Sequence, residues 1–464
     1  MTCPFVMEKL EGALKVMQNG RSPGPDKITN EMLAHLGFQA KRKILGLFNT
    51  SWKTGLVSSN WKKAILIPIL KIGKPKNKGN SYRPISLTSC MCKLMERMIN
   101  KRLVWYLKKH NILMDEQAGF RQFRSTEGQV AYIAQTIEDG YQRQQHTVTV
   151  WVDMEKAFDR VWKKRSYPAT DASWSVPQRA EVDTKLSQPK DRESKPSRKR
   201  KQASDLQGWC PTGWSPLPQT VPSIYEQNIH NIIEPHVKAA LYADDLALIC
   251  SEDSGGTAQV RLQECLTLLG QWTDDWAMTV NAAKTTYIIF SLSTKIPSLR
   301  LRINNSLLEK ENYPKYLGVT FDPRLTWCKQ IETVQKNAVR RTLLLKKLAG
   351  TSWGADMKLL KKTYVGYVRT VMEYGFAAWR TASKTNFQKI ERVQNHSLRI
   401  MTGGIKSTPI NSMESVTGLE SLEDRRKKKN AFTTQVTHAT VASIQKKIQN
   451  IQHASVTWIT KLGI

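Results

Sequence analysis

The stretch Leu241-Tyr242-Ala243-Asp244-Asp245-Leu246-Ala247-Leu248-Ile249 sets two carboxylates side by side inside an apolar run. A run this short, bounded by polar residues, predicts two strands meeting at a tight turn that carries the pair. Adjacent carboxylates repel each other and are costly to bury. A divalent cation removes that cost and calls for a third oxygen ligand from elsewhere in the chain. Taken alone, the pair reads better as an ordinary surface turn.

What precedes it changes the balance. In Thr149-Val150-Trp151-Val152-Asp153-Met154-Glu155-Lys156-Ala157-Phe158-Asp159, a β-branched and aromatic strand ends at Asp153 and a helix-like segment follows. Asp153-x-x-x-Ala157-Phe158-Asp159 and Tyr242-Ala243-Asp244-Asp245 together resemble the palm of a reverse transcriptase from a non-LTR (LINE, jockey-like) retrotransposon. That resemblance implies an α+β right hand: fingers with N-terminal helices over 1–130, a first palm segment over 131–164, a second over 229–327, and a helical thumb and C-terminal region over 328–464. It also implies RNA-templated extension of a DNA primer by deoxynucleoside triphosphates, with two Mg²⁺ ions on Asp153, Asp244 and Asp245. Oxygen-only ligands favour Mg²⁺ over zinc.

Charge agrees with a polyanionic partner. Lys and Arg total 71 against 39 acidic residues, a formal +32 spread along the chain. A histone-like basic protein fits poorly with 14 Trp and 40% hydrophobic residues. The 7 Cys show no zinc spacing, which suits free thiols in a reducing compartment. No apolar run reaches membrane length. An intracellular protein acting in the nucleus is expected.

Further motifs extend the resemblance. Arg21-Ser22-Pro23-Gly24-Pro25-Asp26 is a turn between two helices. A strand over Trp61–Lys71 and the Tyr82-Arg83-Pro84-Ile85-Ser86 segment flank one loop, and the family places a triphosphate-binding cation here. Arg83 is the first candidate and Lys71 the second, with a solvated basic loop as the plain alternative for Lys71. Gln117-Ala118-Gly119-Phe120-Arg121-Gln122-Phe123-Arg124-Ser125-Thr126 mixes aromatics with Arg121 and Arg124, as a single-strand template track requires. In the family, the aromatic at Phe158 selects deoxynucleotides, and the lysine at Lys284 sits near the leaving pyrophosphate. A core Phe and a surface Lys are the plain alternatives. Gly318, in Tyr316-Leu317-Gly318-Val319, falls in a stretch that resembles the family's hairpin gripping the primer end. Arg425–Lys429 reads first as a solvated basic run and second as a phosphate contact.

One stretch breaks the pattern. Between 165 and 228, 8 of the 19 Pro gather among ten Lys or Arg, with no apolar periodicity. Ordinary rules make this a linker, and Lys195–Lys201 would then read as a nuclear-import patch. A linker of such length inside one catalytic sheet is implausible. One permitted coding of Cys210–Pro218, shifted by one nucleotide, gives Ala-Pro-Gln-Gly-Gly-Val-Leu-Ser-Pro, the Pro-Gln-Gly motif the family has and this chain lacks. The segment is therefore read as translated out of frame, and polymerase activity of the literal chain as impaired. The alternative reading is a catalytically inactive RNA or RNA–DNA binding relic. No endonuclease-like segment precedes residue 20 and no RNase H-like carboxylate set follows the C-terminal helices, so the chain alone is not expected to nick its own target.

Overall fold

The computed structural model describes residues 3–110, 113–114, 116–154, 192–194, 233, 235–275, 278–350 and 354–429. Its centre is a five-stranded sheet built from β3 (His146–Asp153), β5 (Val237–Tyr242), β6 (Asp245–Glu252), β7 (Thr286–Phe290) and β10 (Glu309–Lys310), in the order β10-β7-β3-β6-β5. All pairings are antiparallel except β10 with β7. Alternation along β3 splits its side chains between two cores. Val148, Val150 and Val152 join Leu246 and Leu248 beneath α6 (Gly255–Asp275), whose Leu262, Leu266 and Leu269 fill that side. Trp151, Ala247 and Ile249 face the opposite side, against Val130, Ile133 and Ile137 of α5 (Thr126–Gln142). Both faces of β3 are thus covered, so Thr147 and Thr149 are buried as fully as the valines they alternate with.

The second core runs on into the C-terminal helices. Trp151, Tyr316, Phe321 and Trp327 form a chain of rings with centroids 4.8–5.4 Å apart. Fully buried aromatics with offset contacts of this kind are among the stronger packing terms available. Asp322 accepts hydrogen bonds from the backbone N–H groups of Arg324, Thr326 and Trp327, which fixes the entry to α7 (Cys328–Ala349).

A separate N-terminal core gathers Leu10, Phe48, Trp52 and Trp61 against Leu94, Met95 and Met98. It joins α1 (Met7–Leu14), α2 (Asn30–Ala34) and α3 (Phe38–Thr54) to α4 (Cys90–Lys109). Beside it, β1 (Ala64–Leu70) pairs antiparallel with β2 (Tyr82–Thr88). Residues 192–194, described within the 165–228 stretch, form β4 (Arg192–Ser194), which pairs parallel with β1. The remainder of that stretch, and with it Lys195–Lys201 and the Cys210–Pro218 segment, lies outside the described residues.

The C-terminal region is helical: α7 stops before Gly350, whose φ is +51°, and α8 (Met357–Thr363) starts where Asp356 accepts from the Leu359 N–H at 2.8 Å. The Arg425–Lys429 run is solvated in part: Lys427 and Lys428, each 68% exposed, pair at the surface with Glu423 and Glu420. Arg425 and Lys429 instead pair with Glu373, and Arg426 with Glu391, so these three charges are engaged within the C-terminal packing. Among the described residues, no helix is long and apolar enough to cross a membrane.

Candidate active site

The sheet register brings the three carboxylates to one corner. Asp153 is the last residue of β3 and lies directly opposite Asp245, the first residue of β6. Opposed residues in an antiparallel pair have Cβ atoms about 4.5–5.5 Å apart and share a face. Parity along each strand puts both on the side of Trp151 and Ala247. Tyr242 pairs with Asp245, so Ala243 and Asp244 form a two-residue hairpin turn. Ala243 has φ +59°, a conformation such turns demand and alanine adopts at a cost.

The carboxylates feel one another. Burial raises the Asp244 carboxyl, a hydrogen bond from its own backbone opposes the rise, and the Asp153 charge adds to it. Asp245 is pushed up to about 6, first by surrounding protein mass and then by Asp244 and Asp153. Its side chain nevertheless keeps a solvent-exposed side, so water screens part of this effect. Among the described residues, no three His, Cys, Asp or Glu side chains are drawn tightly enough together to ligate one ion. Like charges without a countercharge splay apart, and a lysine supplies part of the compensation: Lys284 Nζ stands 3.3 Å from Asp153 Oδ2. The donor set, three oxygen-bearing carboxylates at one corner, suits a hard divalent cation.

The loop carrying Lys284 is tied to the end of β3. Asn281 N–H donates to the Asp153 carbonyl at 2.8 Å, and Asp153 N–H donates to Thr285 Oγ1 at 3.3 Å. The loop thereby keeps Lys284 beside Asp153. Gly318, with φ +88°, forms the turn between β11 (Lys315–Tyr316) and β12 (Val319–Thr320). A side chain there would meet the Tyr374 ring at 3.2 Å, so the close approach is to an aromatic edge and not to another backbone. Next to it, Tyr316 reaches beneath the site, its hydroxyl 3.3 Å from the Ala240 carbonyl and 3.4 Å from that of Asp245.

Gln117 was missed as a site residue. Gln117 is 1% exposed. Its Oε1 accepts from Gly119 N–H at 2.8 Å and Ala243 N–H at 3.2 Å, while its Nε2 donates to the Ala243 carbonyl at 3.4 Å. A Cβ on Gly119 would stand 2.3 Å from Ala243 N. The motif read as a template track therefore also clamps the carboxylate-bearing turn. Within that motif Arg121 donates to the carbonyls of Met114 and Gln117, bracing the loop. Arg124 N–H donates to the Arg121 carbonyl, and Phe123 is almost wholly exposed. Only an ordinary glutamine marks the clamp in the sequence; its meaning arises from a contact across 126 residues.

Lys71 and Arg83 lie at the loop end of the β1–β2 hairpin, where Ile69 lies opposite Arg83 and Lys71 N–H donates to the Ser81 carbonyl at 2.8 Å. They belong to a different sheet from the carboxylates. Phe158 lies outside the described residues.

The profile of the family described as reverse transcriptase (RNA-dependent DNA polymerase) matches residues 74–321. The chain is 30% identical over 407 residues to a probable RNA-directed DNA polymerase from transposon BS of Drosophila melanogaster, covering 86% of this chain and 45% of that protein. It is 26% identical over 415 residues to the RNA-directed DNA polymerase from mobile element jockey of the same fly, covering 86% and 44%. A probable RNA-directed DNA polymerase from transposon X-element, also of that fly, is 26% identical over 423 residues, with 86% and 44% covered. The chain thus spans about half the length of these relatives. Reverse transcriptases generally use divalent metal ions and act on an RNA template, a primer and deoxynucleoside triphosphates. With a matching profile across both carboxylate-bearing strands, the chain belongs to the reverse transcriptase family of non-LTR retrotransposons.

Proposed function

We propose that the chain is built for RNA-templated extension of a DNA 3′ end, and that this particular sequence performs it poorly. The observation that carries the reading is the Asp153–Asp245 register with Asp244 in the intervening turn. Asp153, Asp244 and Asp245 would hold two Mg²⁺ ions, which when bound supply an activated primer hydroxyl and countercharge for the triphosphate. The primer 3′-hydroxyl gives its proton to water, its oxygen forms a bond to the α-phosphorus, and the bond from that phosphorus to the pyrophosphate oxygen breaks. Lys284, freed from Asp153 once that carboxylate has another partner, is placed to donate a proton or charge to the departing pyrophosphate. Arg83 and Lys71 steady the triphosphate, Phe158 excludes a 2′-hydroxyl, and the hairpin at Gly318 holds the primer. Arg121 shapes the template loop from behind, and Arg124 meets the template.

In the same reading, 1–130 serves as fingers, 131–164 and 229–327 as palm, and 328–464 as thumb. The 165–228 segment is out of frame, so the platform beneath the nascent base pair is missing. Positioning matters at the half-ångström scale in such reactions, which makes the missing platform costly. Nuclear action follows from the target, chromosomal DNA.

The test compares primer extension by the literal chain with a version whose 165–228 segment is recoded in the shifted frame. Weak extension by the first, strong extension by the second, and loss of the latter with Asp244→Asn at unchanged nucleic-acid binding are expected. Robust extension by the literal chain refutes the impairment. Binding without extension in both versions favours a relic that only holds RNA or RNA–DNA hybrids. Sequencing of the coding DNA tests the frame directly.

A further inference from the structure

The ladder between β3 and β7 is interrupted beside the carboxylates. Trp151 pairs with Thr286, and Met154 bridges antiparallel to Val280. Between those contacts two residues on one side, Val152 and Asp153, face five on the other, from Asn281 to Thr285. The surplus is thrown out of the sheet as a wide bulge, a device that re-aims side chains next to a site. Here it brings Lys284 to the Asp153 carboxylate, Nζ 3.3 Å from Oδ2.

The bulge has its own internal frame. The Asn281 carbonyl accepts from the backbone N–H groups of Lys284 and Thr285 at 3.0 and 2.9 Å, and from the Thr285 hydroxyl at 3.0 Å. A threonine bonded to the carbonyl four residues back is common local geometry. The second bond of that hydroxyl is not local. Its oxygen accepts the Asp153 N–H at 3.3 Å, while Asn281 gives its own N–H to the Asp153 carbonyl at 2.8 Å. Both backbone groups of Asp153 are therefore held by one loop. Thr285 is 0% exposed, so water does not stand in for its hydroxyl. The Lys284–Asp153 pair does not set this geometry, since its side chains are 68% and 38% exposed and so open a pair contributes little. The backbone frame sets the pair, and the Thr285 hydroxyl is its side-chain link to β3.

We propose that Thr285 is a positioning residue for nucleotidyl transfer, its hydroxyl fixing the Asp153 backbone and the Lys284-bearing loop in one mutual arrangement. Being fully buried, it touches no reactant and acts through its two neighbours. The inference rests on the polymerase reading above for what this corner does, while the lock itself does not depend on turnover.

Two substitutions test it in the full chain. Thr285→Val keeps the volume and removes the hydroxyl, and Thr285→Ser keeps the hydroxyl. Well below the melting temperature, Mn²⁺ binding read by electron paramagnetic resonance should weaken about tenfold or more in Thr285→Val and recover in Thr285→Ser. Hydrogen exchange at the Asp153 amide should quicken about tenfold in the valine variant alone. In a chain recoded over 165–228 and competent for extension, turnover at saturating Mg²⁺ should fall about 10²-fold while KM for the deoxynucleotide stays near that of the parent. The same substitution on a Lys284→Gln background should cost much less, because the two residues act as one unit. A role in stability alone lowers the melting temperature of Thr285→Val and leaves its metal affinity and turnover as in the parent. That result overturns the proposal, and so does an equal loss in the valine and serine variants. If Thr285→Val does not fold, exchange in the parent chain decides: an Asp153 amide as fast as the exposed loop overturns the lock, and one that opens together with the Lys284 and Thr285 amides upholds it. A parent chain that binds no Mn²⁺, or a recoded chain that extends no primer, counts against the polymerase reading, and the exchange comparison still decides the lock.

Discussion

Replacing Gln117 with alanine should release the turn that carries Asp244. The amide makes three hydrogen bonds in a site 1% exposed, two of them to Ala243. Without it, the N–H groups of Gly119 and Ala243 lose their acceptor where water enters poorly. A lost neutral bond costs about 1 kcal/mol, and a buried group left unsatisfied about 1–3 kcal/mol. These terms overlap, and one of the three contacts is long, so the sum is about 2–4 kcal/mol. Ala243 adds to the pressure, because a non-glycine residue at positive φ carries strain on the order of 1–3 kcal/mol that the clamp now opposes. The turn would relax toward an ordinary conformation and take the Asp244 carboxylate with it. Urea unfolding reads the stability loss, and titration with Mn²⁺ reads the displaced carboxylate as weaker binding. In a chain competent for extension, a displacement of about 1 Å should lower turnover by about 10²-fold. Gln117→Met separates packing from hydrogen bonding, since it fills similar space without the amide, and it should lose metal affinity as the alanine variant does. Should Gln117→Ala unfold within about 0.5 kcal/mol of the parent, with Ala243 and Asp244 amide chemical shifts unmoved, the clamp has no such role.

Two more outcomes follow from the charges. Asp245 holds its proton more tightly when folded, so without metal its ionisation weighs against the fold as pH rises from about 4 through about 6. Asp245→Asn should therefore stabilise the metal-free chain at neutral pH by up to about 1 kcal/mol, after discounting for its solvent-exposed side, and the difference should vanish in thermal melts near pH 4. Glu373, 17% exposed in its side chain, is shared by Arg369, Arg425 and Lys429. Glu373→Gln should cost about 1–3 kcal/mol, less than a fully buried pair, and raised salt should narrow the gap; melting unchanged in low salt would contradict the network.

The legible parts of this molecule are those whose signal is local. Val148 to Asp153 announces a buried strand ending in a charge, and Asp244-Asp245 announces a turn between two strands; the register then joins them at one corner. Helix α4 begins at a local signal of the same kind, since Ser89 caps it by accepting from Cys92 N–H. What stayed hidden depends on distant partners. Gln117 looks like any polar residue until the chain returns with Ala243, and Arg425 looks solvated until Glu373, 52 residues earlier, is brought beneath it. Tyr316 shows the same limit: its motif was visible, whereas its reach to the Asp245 carbonyl was set by the packing of rings around Trp151.

Tyr374 stands at a junction of three parts of the chain. Its hydroxyl donates to the Leu317 carbonyl at 2.6 Å and lies 3.1 Å from Thr126 Oγ1, while the next residue, Gly375, donates its N–H to Glu127 Oε1 at 3.3 Å. The C-terminal helices are thereby riveted both to the hairpin turn and to the first turn of α5. A tilt of those helices cannot leave the other two behind: it tugs the Leu317 corner and the start of α5 in the same stroke. One hydroxyl is thus a pin shared by the C-terminal helices, the hairpin corner and the start of α5.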